Sequence, residues 1–264
     1  MMSLEANELP IAARVTLLLN SYAQRRHSSS DMHHPHEHRF PDATALAHAL
    51  AGELKVDLEE AIAARGKAGL VVSGGRTPLP LFESLRQEKL EWGKVWVTLA
   101  DERWVENTSD QSNERLVREH LLRDAAAQAH FVGLKNAAPT PEAGADWAWR
   151  ALSRVPRPYD VVVLGMGDDG HTASLFPGSL ALAKALDAKT PAGCVAVHAL
   201  ATPHARVSLN LSALLDARRI ILHITGAAKW TVYQRARLPG PASELPVRAI
   251  LHQQQVPVDV YWSP

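Results

Sequence analysis

Cysteine is nearly absent from this sequence: Cys194 is the single one among 264 residues. No internal disulfide can form, which fits a reducing compartment. Charge of one sign is also missing, because 28 Lys and Arg balance 28 Asp and Glu. A broad nucleic-acid surface is therefore not expected, and any anion site should be local. No apolar run approaches the roughly 18 residues needed to span a bilayer. The run Val15–Leu19 is too short and too poorly flanked for a secretion signal. These absences lead to the expectation of a soluble, cytoplasmic protein with no nucleic-acid or membrane partner. Core-forming residues are plentiful, at 46% apolar, which suffices for a full α/β core.

Residues 1–39 differ from the rest and read as a flexible or weakly structured extension. Ile11–Arg26 can form a short helix with a basic end, and Ile11–Tyr22 is a candidate docking segment. Three serines and then His33, His34, His36 and His38 follow. A histidine cluster suits a transition metal. Pro35 interrupts it and no cysteine joins it, so a solvated lead-in is the preferred reading, with Met32 an alternative start. Residues 40–264 show no repeat or linker and read as one α/β catalytic domain.

Ala43–Arg65 carries Leu46, Leu50, Leu54, Leu58 and Ile62 at four-residue spacing, the mark of a helix. Asp42 is placed to cap it and Gly66 to end it. Short apolar strands follow at Ala68–Val72, Val95–Leu99, Tyr159–Leu164, Cys194–Val197, Arg206–Leu211, Arg219–Thr225 and Val256–Trp262. Helical segments lie between several of them, including Glu142–Leu152, where Trp147 and Trp149 read as packing residues. Cys194 has an apolar context and reads as core filler. The alternation argues for a doubly wound, mainly parallel sheet with helices on both faces, a Rossmann-like α/β fold.

The polar clusters fall at strand ends, where open α/β sheets bind ligands. After the first strand comes Ser73-Gly74-Gly75-Arg76-Thr77-Pro78. Two glycines, two hydroxyls, an arginine and a helix-starting proline suit a phosphate; a tight turn before a helix is the competing reading. Asp101-Glu102-Arg103 ends the next strand and suggests a polar crevice, against a solvated ion-paired loop. Gly165-Met166-Gly167-Asp168-Asp169-Gly170-His171 ends the strand after that. Its histidine can move protons near neutral pH. The turn also matches a dinucleotide fingerprint, but carboxylates there would repel a pyrophosphate, so no nicotinamide cofactor is expected. Thr225-Gly226-Ala227-Ala228-Lys229 sets a lysine near a helix start, where its point charge can meet a phosphate.

These four stretches occur in the order found in one family. With Thr172-Ala173-Ser174-Leu175-Phe176-Pro177 after the histidine, and Ser112-Asn113 after Arg103, residues 40–264 resemble the 6-phosphogluconolactonases. The related glucosamine-6-phosphate deaminases have a tyrosine where Arg103 stands and a different run after the histidine. The resemblance implies hydrolysis of 6-phospho-D-glucono-1,5-lactone to 6-phospho-D-gluconate, the second step of the oxidative pentose phosphate pathway, without metal or cofactor. It implies His171 as general base for water, Asp169 as its orienting partner and Arg103 as the stabiliser of the oxyanion. Ser73, Gly74, Gly75, Arg76, Thr77 and Lys229 would hold the phosphate, with Arg206 a further candidate. The alternatives are a glucosamine-6-phosphate deaminase/isomerase and a non-catalytic sugar-phosphate sensor. A monomer or weak homodimer is the expected assembly.

Overall fold

A computed structural model describes residues 35–199 and 203–264. The chain enters through strand β1 (His36–Arg39) and the long helix α1 (Ala43–Arg65). Asp42 caps α1 by accepting the Ala45 N–H at 2.8 Å, and Gly66 closes it in the left-handed conformation at φ 75°. Its evenly spaced leucines are all buried. Then come β2 (Ala68–Val72), α2 (Leu79–Leu85), β3 (Val95–Leu99), β4 (Asp101–Arg103) and α3 (Asn113–His120). The middle of the chain gives β5 (His130–Val132), α4 (Pro141–Ala151), β6 (Val161–Leu164) and α5 (Leu182–Leu186). The last third holds β7 (Cys194–Val197), β8 (Arg206–Leu209), α6 (Leu211–Leu214), β9 (Ile220–Thr225), α7 (Ala227–Ala236), α8 (Arg248–Leu251) and β10 (Val258–Ser263).

Seven strands form one sheet in the order β1-β10-β9-β6-β2-β3-β5, and every neighbouring pair is parallel. All residues of β2 and β6 are buried, so this sheet is covered on both faces. The order explains where a ligand can enter. From β2 the chain winds one way through β3 and β5. It then returns to the other side of β2 as β6 and continues outward through β9 and β10. The loops leaving β2 and β6 therefore diverge, opening a crevice at the carboxyl end of the sheet.

Three findings differ from the sequence reading. The sheet starts at His36, inside the expected extension and ahead of the expected domain boundary at 40. His38 bonds Asp259 at 2.9 Å and stacks on Tyr261 at 4.5 Å, so its ring serves the sheet. His33, His34, Met32 and the expected Ile11–Arg26 helix lie outside the described residues. Second, two of the expected strands leave the main sheet: β7 and β8 join β4 in a small antiparallel sheet of order β4-β8-β7. Third, Trp147 is more than half exposed, because it falls on the outer side of α4. Trp149 does pack, with the Arg157 guanidinium 4.5 Å over its ring.

Candidate active site

The crevice holds a cavity of about 210 Å³. Four separate parts of the chain wall it: the turn Ser73–Pro78 after β2, the turn Gly165–His171 after β6, the β4–β8 pair, and the β9–α7 corner.

His171 stands on the second of these. Its Nδ1 lies 2.5 Å from an Asp169 carboxylate oxygen, and that oxygen also accepts the His171 backbone N–H at 3.1 Å. A carboxylate at Nδ1 fixes the proton there, leaving Nε2 as the base. The hydrogen bond from the imidazole holds the Asp169 carboxyl below the usual range. Both adjacent acids are exposed, and of the two it is Asp169 that bonds the ring. Phe176 lies against the imidazole with centroids 4.2 Å apart. Gly167 is required beneath it, since a Cβ there would fall 2.2 Å from two ring atoms. Thr172 ties the end of the turn back by donating to the Gly165 carbonyl at 2.8 Å.

The acidic cluster on β4 divides into two roles. Glu102 turns inward and is fully buried. It accepts the backbone N–H groups of Arg103, Asn113 and Glu114 at 2.7–2.8 Å, and the Ser112 hydroxyl at 3.1 Å. Glu102 thus caps α3, and burial, only partly offset by those bonds, raises its pKa. Asp101 faces the cavity, accepting the Ser174 hydroxyl at 2.5 Å with the Arg206 guanidinium at 3.6 Å. Arg103 and Arg206 stand opposite each other in the antiparallel register. Arg103 donates to the Gln111 carbonyl at 2.6 Å. Arg206 lies 5.1 Å over the ring of Phe176, the same ring that supports His171.

On the other wall, Gly75 adopts φ 94° in the turn after β2. Gly74 has no room for a side chain, because a Cβ would meet Asn113 Oδ1 at 1.9 Å. Asn113 in turn donates to the Asp101 carbonyl at 3.0 Å, joining this turn to β4. Lys229 projects from the first turn of α7, whose cap residue Gly226 sits at φ 90°. The unpaired N–H groups and positive end of a ten-residue helix open beside it.

Among the described residues, ten buried side-chain polar atoms lack a hydrogen-bond partner. Five belong to residues of this one cavity: Ser73 Oγ, Arg103 Nε, Asn113 Oδ1, Arg206 Nε and His223 Nδ1. Buried polar groups are normally satisfied, and such convergence marks a site shaped for a polar ligand.

A family model described as glucosamine-6-phosphate isomerases/6-phosphogluconolactonase matches residues 41–262. The chain belongs to this family. A 6-phosphogluconolactonase of Rhizobium meliloti is 47% identical over 227 residues, covering 86% of this chain and 98% of the relative. One of Pseudomonas putida is 46% identical, covering 86% and 92%. A crystal structure of a 6-phosphogluconolactonase from Shewanella baltica is 50% identical and superposes with a TM-score of 0.84, covering 87% and 98%. A monomeric glucosamine-6-phosphate deaminase, at 16% identity and a TM-score of 0.69, shares the fold.

Within this family fold, the residues named from sequence come together. Ser73, Gly74, Gly75, Arg76, Thr77, Arg103, His171, Arg206 and Lys229 all line the cavity, and Asp169 stands behind His171. Sequence reasoning left out Asp101 as a site residue, Phe176 as a ring support, Asn113 as a bridge, and His223. The one signal for His223 was a histidine inside the otherwise apolar run Ile220–Ile224.

Proposed function

We propose that the protein hydrolyses 6-phospho-D-glucono-1,5-lactone to 6-phospho-D-gluconate in the oxidative pentose phosphate pathway. The observation that carries this reading is one cavity joining an Asp169-oriented imidazole to a glycine-rich turn, two arginines and a lysine.

The chemistry follows from the placement. His171 Nε2 takes a proton from water as its oxygen attacks C1 of the lactone. The carbonyl oxygen becomes an oxyanion, which Arg103 stabilises; Arg206, expected from sequence at the phosphate, stands opposite Arg103 and is instead assigned to the same oxyanion. The C1–O5 bond then breaks, and the imidazolium returns its proton to O5. The products are the open-chain acid and a free 5-hydroxyl. Asp169 holds the ring and supports its cationic form. The Ser73–Thr77 turn and Lys229 grip the remote phosphate, which sets C1 against the water. A lactone carbonyl is electrophilic enough for this route without a metal, so chelator treatment should leave turnover intact.

The test is an assay of phosphogluconolactone loss, corrected for spontaneous hydrolysis, run beside assays for ammonia release from glucosamine 6-phosphate. Rapid lactone loss without ammonia is the expected result. Ammonia release, or sugar-phosphate binding without turnover, would contradict the reading.

A further inference from the structure

His223 sits on β9, a central strand whose other residues up to Ile224 are aliphatic. It is 4% exposed, yet its Nδ1 has no partner, and its side chain lines the cavity. An imidazole buried without a partner is costly unless something else completes its bonding. Nothing assigned above to the hydrolytic step uses it.

Its place in the fold indicates what it meets. His223 lies one residue beyond Leu222, which pairs with Leu164 at the end of β6. Its neighbours in the cavity are thus the start of the Gly165 turn and, two residues past β9, the amino end of α7 with Lys229. Among the described residues lining the cavity, Asp101 is the one carboxylate, and Ser174 and Arg206 already engage it. The β9–α7 corner, with Lys229 and the amino end of α7, thus has room for a ligand anion.

We propose that His223 belongs to the phosphoryl subsite, where a neutral imidazole donates one N–H to a phosphoryl oxygen beside Lys229. This rests on the lactonase reading for the identity of the substrate, and only on the cavity for the phosphate contact. Burial, with the nearby Lys229 charge, pushes the His223 imidazole down to about 4, so it stays neutral near pH 7. A neutral ring supplies one directed donor and one acceptor, and it adds no second like charge beside the lysine. The pair then combines a point charge with an oriented hydrogen bond.

The experiment compares His223→Leu and His223→Gln with the unsubstituted protein. The readouts are KM and kcat on phosphogluconolactone and on unphosphorylated gluconolactone, together with calorimetric titration of inorganic phosphate. His223→Leu should raise KM for the phosphorylated lactone, and Kd for phosphate, by roughly tenfold or more. Its effect on kcat, and on the unphosphorylated lactone, should be far smaller. His223→Gln keeps an N–H donor and should recover much of the loss. Parallel losses on both lactones, or unchanged phosphate affinity, would overturn the assignment. Should the leucine variant fail to fold, the ring 15N resonances of His223 in the unsubstituted protein decide: they should shift on phosphate saturation, and constancy overturns the proposal. Weakened phosphate binding in a protein that does not hydrolyse phosphogluconolactone would uphold His223 while removing the lactonase reading.

Discussion

The imidazole of His171 has two partners, and each removes a different freedom. The Asp169 carboxylate sets its tautomer, while the Phe176 ring restrains its tilt. Asp169→Asn breaks the first constraint, because an amide can bond either tautomer. We expect kcat to fall roughly 10²-fold or more with KM little changed, as steady-state kinetics would show. Equal turnover would remove Asp169 from the account. The motif made His171, Asp169 and Lys229 legible from sequence, since a histidine or lysine just past a strand end is placed by local geometry. Glu102 was not: a charged run at a strand end gives no sign of which carboxylate turns inward to cap a helix eleven residues on. His223 was hidden for a related reason, since an apolar run marks a buried strand without saying that one member faces a cavity.

At the scale of elements, two connections decide the precision of the site. The Gly165–His171 turn has no space above Gly167, so Gly167→Ala must push the imidazole aside. A displacement near 1 Å can cost about 10²-fold in rate, and we expect a kcat loss of that order with a thermal midpoint close to the parent's. A large fall in that midpoint with normal kcat would contradict the packing argument. The second connection is β4 to α3. Glu102→Ala would strand two buried backbone N–H groups and one half-buried one, and should cost about 3 kcal/mol in urea unfolding. The parallel strands and their helices could be read from hydrophobic period and turn residues. The antiparallel β4-β8-β7 sheet could not, because a three-residue strand meets partners about a hundred residues away in sequence.

For the whole molecule, buried titratable groups set the limit in acid. Burial alone would raise Asp259, but His38 and Arg219 more than reverse this and hold it down to about 2. Its contribution is present above the unfolded carboxylate value near 4, and is lost as pH falls through about 2. The change is about 2 kcal/mol. His223 acts in a higher window. With a folded value of about 4 against an ordinary 6.5, the unfolded chain takes up its proton first, so stability falls as pH drops from 6.5 to 4. Thermal midpoints should therefore decline in two stages. Asp259→Asn should lower the midpoint at pH 7 and flatten the decline between pH 4 and 2; an unaltered lower stage would refute this. The switch in winding direction at β2 and β6 is also a property of the whole chain. It places the crevice, and the alternation of strands and helices alone does not reveal it.

Catalysis as proposed here depends on a carboxylate-oriented imidazole that activates water against a phosphate-anchored lactone. The most direct measurement is turnover of phosphogluconolactone by His171→Asn, beside its affinity for 6-phosphogluconate. We expect kcat to fall roughly 10²–10⁴-fold with product affinity largely retained. Near-parent turnover by this variant would contradict the mechanism.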